Sequence, residues 1–128
     1  MILHLAIRTD WEAGKREGSY PWSTRGLTVE QEGYTHCSFE HQWRGVRERF
    51  YGDLRDDQLV LLEIDESLLS SPVVVERLGD APDEFPHIYG SIDIVAVTAE
   101  RALVRGSIRD RASGAPRERL APTAMPPE

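Results

Sequence analysis

The chain has 128 residues, of which 40% are hydrophobic and 29% are charged, the composition of one globular domain with a sizeable core. Its formal net charge of −7, without a basic stripe carrying interleaved aromatic residues, disfavours a nucleic-acid partner. The sequence contains neither a run of about eighteen apolar residues nor a basic leader with a cleavage site. Its single cysteine excludes an internal disulfide. We therefore expect a cytoplasmic protein without a membrane span.

Two parts of the chain differ in composition. Residues 1–105 carry the apolar segments and the acidic excess, and we predict that they form a single α+β domain. From Gly106 onward apolar residues become sparse, while arginines and prolines accumulate. Because proline interrupts regular structure, we predict that residues 106–128 form a flexible tail.

A strand and a helix are predicted at the start of the chain. Residues 2–7 are continuously apolar apart from His4, which is typical of a short buried strand. Thr9 and Glu12 have the spacing of a capping box, which predicts a helix over about residues 10–17. Glycine follows at position 18, where glycine commonly ends a helix.

The next segment leads to a histidine. Residues 19–32 are rich in turn-forming residues and are predicted to form a loop with a short strand and a final helical turn. Residues 34–37, Tyr-Thr-His-Cys, have a strand-like composition. Since successive side chains of a strand alternate, we expect Tyr34 and His36 to lie on the same face.

An amphipathic helix is predicted directly after this strand, with Ser38 as its cap. An apolar stripe with helical spacing supports it, formed by Phe39, Trp43, Val46 and Phe50. The helix is expected to end near Gly52. Unpaired amides at its start, around residues 38–40, would favour an anionic group such as a pyrophosphate.

Short strands dominate the second half of the domain. We predict strands at residues 59–64, 72–76 and 92–98, and a turn over residues 65–69 that Asp65 caps. Many short strands together with two early helices favour an α+β fold, in which helices pack on a mixed or antiparallel sheet.

Three of the four histidines lie in or beside apolar segments and are candidates for a site: His4, His36 and His87. His4 is either a core histidine bonded to the backbone or a residue that lines a cleft. His36 precedes the predicted helix, where it would meet an anionic ligand. His41, beside an acidic residue at the start of that helix, is expected to face solvent.

Residues 85–90, Phe-Pro-His-Ile-Tyr-Gly, form a second cluster around His87. Tyr89 offers a flat ring and a hydroxyl that suit a heterocycle, and Gly90 would allow close approach of the backbone. The alternative is that the aromatic and aliphatic residues of this segment form a hydrophobic plug.

Glu76 interrupts an apolar strand with a carboxylate. It is either an exposed edge residue, an acceptor for a ribose hydroxyl, or a general base. Cys37 is expected to point away from His36, so no Cys–His catalytic pair is predicted. The candidate histidines lack the local spacing of metal ligands, and we predict no metal site.

The candidate residues and motifs, in their order along the chain, resemble the pattern of the bacterial DUF952 family. The resemblance rests on His4, Trp11, Tyr20, Glu76 and the strings at residues 32–38, Glu-Gly-Tyr-Thr-His-Cys-Ser, and 85–90. It covers roughly residues 2–98. Remote similarity of that family to the ADP-ribosyltransferase fold, including the tRNA 2′-phosphotransferase branch, implies a split β-sheet core with two or three helices. It also implies a cleft that holds NAD in active relatives.

The resemblance implies roles for the candidate residues. The catalytic residues would be His36, Glu76 and His87. NAD would be contacted by His4, Tyr34, His36, Ser38 and Tyr89. Glu76 would stabilise the positive charge that develops as nicotinamide leaves, or would orient the acceptor.

Two other functions remain open at this point. The same cleft would serve a non-catalytic module that binds a nucleotide or another small metabolite. An enzyme acting on a small metabolite without NAD would use His36 or His87 as a general base near neutral pH.

Overall fold

Two three-stranded antiparallel sheets and a short hairpin form the framework of residues 1–103, the part of the chain that the computed structural model describes. The strands, in chain order, are β1 (Ile2–Ile7), β2 (Trp22–Thr24), β3 (Leu27–Thr28), β4 (Thr35–His36), β5 (Leu59–Ile64), β6 (Val73–Glu76), β7 (Phe85–Ile88) and β8 (Val97–Ala102). The helices are α1 (Arg8–Glu17), α2 (Val29–Glu32) and α3 (Trp43–Tyr51). The predicted α+β class is confirmed, and the predicted tail at residues 106–128 lies outside the described residues.

The first sheet has the strand order β1-β5-β8; β1 and β5 are buried on both faces, whereas the edge strand β8 is mostly exposed. One face packs against α1 and the second sheet in a hydrophobic core cluster that includes Ile2, Ala6 and Leu62. The other face packs Leu3 and Leu5 against α3. Since both of their faces are covered, β1 and β5 carry almost continuous apolar runs, which is why these two strands were predictable from the sequence.

Helix α1 begins at Arg8, directly after β1, without a side-chain cap. The predicted capping box of Thr9 and Glu12 is therefore wrong, because β1 leads into the helix without a turn. The end at Gly18 is confirmed. Gly14 lies where an added Cβ would be 3.1 Å from the Cβ of Tyr20, so the glycine that weakens the helix lets Tyr20 pack against it.

Helix α2 confirms the predicted helical turn before β4. The Thr28 side chain accepts a hydrogen bond from the Gln31 amide, and the Gln31 side chain accepts one from the Thr28 amide. This capping box satisfies two of the free amides at the helix start. The turn then ends at Gly33 and directs the chain into β4.

Helix α3 starts at Trp43, four residues later than the predicted first turn. Ser38 does not cap it, because its backbone pairs with Leu3 in both directions, at 2.7 and 2.8 Å. The predicted apolar stripe also fails at its end. Phe50 is 59% exposed, whereas Tyr51 is buried and hydrogen-bonds the Thr24 hydroxyl.

The second half of the domain follows the prediction with one exception. The strands at 59–64 and near 72–76 are confirmed, and Asp65 caps a short 3₁₀ turn at Glu66–Leu68. The predicted strand at 92–98 is instead a 3₁₀ turn, Ile94–Ala96, followed by β8. The turn arises because the Ala96 amide bonds back to Asp93 and its carbonyl accepts the Asp65 amide.

The second sheet has the strand order β4-β7-β6, and it meets the first sheet at the paired backbones of Leu3 and Ser38. Its inner face carries Thr35, Cys37 and Ile88, which are buried against the main core. Its opposite face therefore holds the polar and aromatic side chains of the predicted site.

Candidate functional site: a histidine and tyrosine face beside a cavity

The pairing register of the second sheet brings His36 and His87 together. In the antiparallel pair of β4 and β7, His36 lies directly opposite His87, and their ring centroids are 5.5 Å apart. Residues two positions away along each strand share the same face. Tyr34 and Tyr89 therefore join the histidines, and the Tyr34 ring lies 4.3 Å from His87 and 5.6 Å from Tyr89.

Glu76 completes this face from β6. His87 pairs with Val74, so Glu76, two residues further along, projects from the same side as His87. Its Oε2 lies 2.8 Å from the Nδ1 of His87, and the Tyr89 hydroxyl donates to the same oxygen. These hydrogen bonds, first that of Tyr89 and then that of His87, lower the pKa of Glu76 and keep it ionised.

We call these five side chains the site face: Tyr34, His36, Glu76, His87 and Tyr89. Four of them come from two strings that lie about fifty residues apart in the sequence. The sequence predicted the face of Tyr34 and His36 correctly, and the structure brings five of the seven predicted site residues together on this face.

His36 has its own carboxylate partner, Glu32, which was not predicted from the sequence. Its Nε2 lies 2.8 Å from Glu32 Oε2. The two residues are four apart, the spacing of helical neighbours, but the turn at Gly33 separates them, so the periodicity of a single helix gave no indication of the contact. Burial, and then the charge of Glu32, raise the pKa of Tyr34 to about 12, which keeps its hydroxyl protonated.

Gly90 fixes the end of the site face. A Cβ at this position would lie 2.0 Å from the Ser71 Oγ, so the glycine leaves room for Ser71, while the close approach to a ligand suggested for Gly90 stays a prediction. The Gly90 carbonyl accepts a 2.7 Å hydrogen bond from the hydroxyl of Thr35, which is fully buried. Strand β4 and the segment after β7 are thus joined on the side opposite the tyrosines.

A cavity of about 220 Å³ opens beside the site face. Tyr34, His36 and His87 form one wall, and α3 and the loop after β6 form the others. Most of the remaining lining is apolar or aromatic, contributed by Val46, Phe50, Leu78, Ala81, Pro82 and Phe85. No carboxylate lines the cavity within the described part of the chain, although the protein as a whole is acidic.

Among residues 1–103, Arg49 is the one lysine or arginine that lines this cavity, and it was not predicted from the sequence. Its guanidinium lies 5.6 Å from the Phe50 ring centroid, and it forms no ion pair with any carboxylate of residues 1–103. Arg49 is one of several charged residues along α3, and no feature of the sequence distinguishes it from the neighbouring arginines. Its place at the cavity follows from how α3 packs.

His4 is buried and supports the site through hydrogen bonds of both ring nitrogens. Its Nδ1 lies 2.7 Å from the carbonyl oxygen of His36, and its Nε2 lies 3.0 Å from the Tyr20 hydroxyl. Because the carbonyl accepts, Nδ1 donates and Nε2 accepts from Tyr20. Burial lowers the pKa of His4 to about 4, so the ring is neutral. A direct bond from His4 to NAD, which the resemblance implies, would require one of these contacts to break.

The predicted anion site at residues 38–40 is not the start of a helix. The Ser38 amide donates to the Leu3 carbonyl, and the Phe39 amide donates to the Gln42 side chain at 2.9 Å. Gln42 also donates to the Glu84 carbonyl at 2.7 Å, which holds the loop beside the cavity. The pyrophosphate position proposed from helix amides is therefore wrong, although Ser38 itself lines the cavity.

The remaining candidates have simple outcomes. His41 is exposed, as predicted. Cys37 belongs to the buried core, and burial raises the pKa of its thiol above the ordinary value. Within residues 1–103, no group of three or more His, Cys, Asp and Glu side chains is arranged to hold a metal ion. No helix of the same region is both long and apolar enough to cross a membrane.

Comparison with known proteins gives a family and a fold. The chain is similar to the protein CC0527 from Caulobacter crescentus, whose crystal structure matches with a TM-score of 0.65 and 22% sequence identity. A double mutant of CC0527 matches with the same TM-score and 21% identity, and both matches cover 88% of this chain and 97% of the other. No curated protein matches the chain. Residues 5–100 match the family described as Protein of unknown function (DUF952), and the chain therefore belongs to the DUF952 family.

Proposed function

We propose that the cavity and the site face bind a nucleotide, with NAD as the first candidate. We also propose that the protein is a transferase of the ADP-ribosyl class. The split β-sheet core of ADP-ribosyltransferases is part of this proposal. Two separate three-stranded sheets that meet at Leu3 and Ser38 are compatible with such a core.

The lining of the cavity is the observation that carries the proposal. Flat rings, among them Tyr34 and Phe85, offer faces for a heterocycle, while Arg49 offers a guanidinium that no carboxylate of residues 1–103 neutralises. A nucleotide combines a flat base with anionic phosphates. Because no carboxylate of the described residues lines the cavity, these walls would not repel the phosphates.

The size of the cavity limits which part of NAD it would enclose. Its volume of about 220 Å³ is below the roughly 300–1,000 Å³ of a typical ligand pocket. It therefore suits one base with its ribose, and the rest of the dinucleotide would lie across Arg49 and the exposed end of α3. Nicotinamide is the ring that we assign to the enclosed part, next to Tyr34 and His87.

A non-catalytic nucleotide-binding module is the second candidate. The observation that favours it is the position of Glu76, which accepts from both His87 and Tyr89 and does not line the cavity. A carboxylate held in this way is removed from direct contact with a bound sugar.

Calorimetric titration of the protein with NAD, ADP-ribose and nicotinamide tests the proposal. We expect saturable binding of NAD that is weakened at least tenfold in Arg49→Gln, since a charge-assisted hydrogen bond contributes about 1.5–3 kcal/mol. Arg44→Gln is the matched control, because Arg44 stacks on Trp43 and does not line the cavity. His36→Ala should also weaken binding, while His41→Ala should leave it unchanged.

Two outcomes separate the candidates. Binding followed by release of free nicotinamide, detected by chromatography, supports the transferase. Binding of NAD without release of nicotinamide supports the module. Absence of binding to all three ligands would contradict the assignment of this cavity to nucleotides.

A further inference from the structure

The Glu76–His87 pair has a geometry that the binding proposal does not use. His87 is 4% exposed and lines the cavity, whereas Glu76 lies behind it and does not. The two groups are joined at 2.8 Å through Nδ1. A reacting group in the cavity would therefore meet the imidazole before it met the carboxylate.

The hydrogen bonds determine which nitrogen of His87 is available. An ionised carboxylate accepts hydrogen bonds, so the neutral His87 ring carries its proton on Nδ1. The Tyr89 hydroxyl donates to the same carboxylate oxygen and holds it in place. The lone pair of the neutral ring is then on Nε2.

The Nε2 atom of His87 is open to the cavity. It forms no hydrogen bond with any group of residues 1–103, and it is not among their fully buried polar atoms that lack a partner. It therefore retains contact with solvent, and the cavity that His87 lines provides it. A carboxylate that fixes the tautomer of a histidine, with the other nitrogen free, is the arrangement of a general base.

We propose that His87 is the catalytic base for an oxygen nucleophile, either an alcohol or water, and that Glu76 is a positioning residue. This inference rests on the proposed function. The O–H bond of the nucleophile breaks, its proton moves to His87 Nε2, and its oxygen forms a bond to the ribose carbon that carries nicotinamide. The C–N bond to nicotinamide breaks, and its electron pair leaves with neutral nicotinamide. The imidazolium keeps its Nδ1–H bond to Glu76 and later releases the proton to solvent.

His36 lacks the features that support this role in His87. Its side chain is 40% exposed, against 5% for that of His87, and its carboxylate partner Glu32 binds Nε2 rather than Nδ1. His87 is therefore reached mainly through the cavity, whereas His36 is also open to bulk water. His36 is therefore assigned to binding.

Nitrogen-15 NMR of the histidine side chains, with and without substitutions, tests the first part of the inference without a substrate. In the wild-type protein we expect neutral His87 to be the Nδ1–H tautomer. Glu76→Ala should lose this fixed tautomer, and Glu76→Gln, which keeps an acceptor oxygen, should retain part of it. Tyr89→Phe is the matched control, because it removes one partner of the carboxylate and leaves the bond to His87. An Nε2–H tautomer in the wild-type protein would overturn the inference, whether or not NAD binds.

Nicotinamide release from NAD, with water as the acceptor, tests the second part. We expect His87→Gln, which preserves side-chain size, to lower kcat by about 10²–10⁴-fold with little change in KM. Glu76→Ala should lower kcat less, and Glu76→Gln should restore part of it. Unchanged release in a folded His87→Gln variant would overturn the base assignment and leave NAD binding intact. Failure of the wild-type protein to release nicotinamide would overturn the reaction, even where the tautomer is as expected.

Discussion

The two three-stranded sheets of this domain are stabilised in different ways. In the β1-β5-β8 sheet almost every side chain of β1 and β5 is buried, and His4 is its one buried polar residue. In the β4-β7-β6 sheet one face joins the core, while the other holds two tyrosines and two histidines that contact one another. The first sheet therefore supplies most of the hydrophobic stability, and the second positions polar groups.

Substitution of Leu62 by alanine tests this division with the largest expected effect. Leu62 is fully buried in β5, directly opposite His4, so the substitution removes methyl and methylene groups from the centre of the first sheet. We expect the free energy of unfolding to fall by about 2–5 kcal/mol, measured by urea denaturation. NAD affinity of the folded variant should be unchanged. A loss below about 1 kcal/mol would mean that the first sheet is not the main source of stability.

Acid should weaken the contact between the two sheets through His4. Burial holds the pKa of His4 at about 4 in the folded protein, against 6.5 for an exposed histidine. The unfolded chain therefore binds a proton before the folded chain does, and stability falls as the pH drops from about 6.5 to about 4. The expected loss is about 3 kcal/mol, measured by denaturation at a series of pH values.

The variant His4→Gln provides the control for this pH dependence. Its amide cannot titrate, so most of the loss between pH 6.5 and 4 should disappear, leaving the contribution of carboxylates such as Glu76 at lower pH. An unchanged pH profile in this variant would exclude His4 as the source.

Thr35→Val tests a polar contact within the second sheet. The substitution keeps the shape of the side chain but removes the buried hydroxyl that donates to the carbonyl of the partly exposed Gly90. We expect the free energy of unfolding to fall by about 0.5–1.5 kcal/mol, because this hydrogen bond is lost. The exposed Thr98→Val is the matched control and should change stability by at most about 0.5 kcal/mol.

Val75→Thr should have the smallest effect. Val75 is 49% exposed on β6, at the edge of the second sheet, and threonine has a similar shape and strand preference. We expect a change within about 0.5 kcal/mol, measured by thermal or urea denaturation. A loss comparable with that of Leu62→Ala would show that this edge is buried in solution.

Local sequence patterns determined the buried strands, the shared face of two site residues and the family of this protein. The apolar runs of β1 and β5 predicted buried strands, because a strand covered on both faces has few polar residues. The period of a strand placed Tyr34 and His36 on one face. The strings at residues 32–38 and 85–90 indicated the family, which the match over residues 5–100 confirmed.

The tertiary structure decided the features that depend on distant partners. Helix α3 starts at Trp43, and not directly after Ser38 as predicted, because the Ser38 backbone pairs with Leu3, thirty-five residues away. A local capping pattern in the sequence contains no information about such a pairing. The register of β4 and β7 placed His36 opposite His87, and the packing of α3 brought Arg49 to the cavity. Propensity and periodicity act over a few residues along the chain, whereas the contacts between the two histidines and with Glu76 depend on which strands pair and in which register.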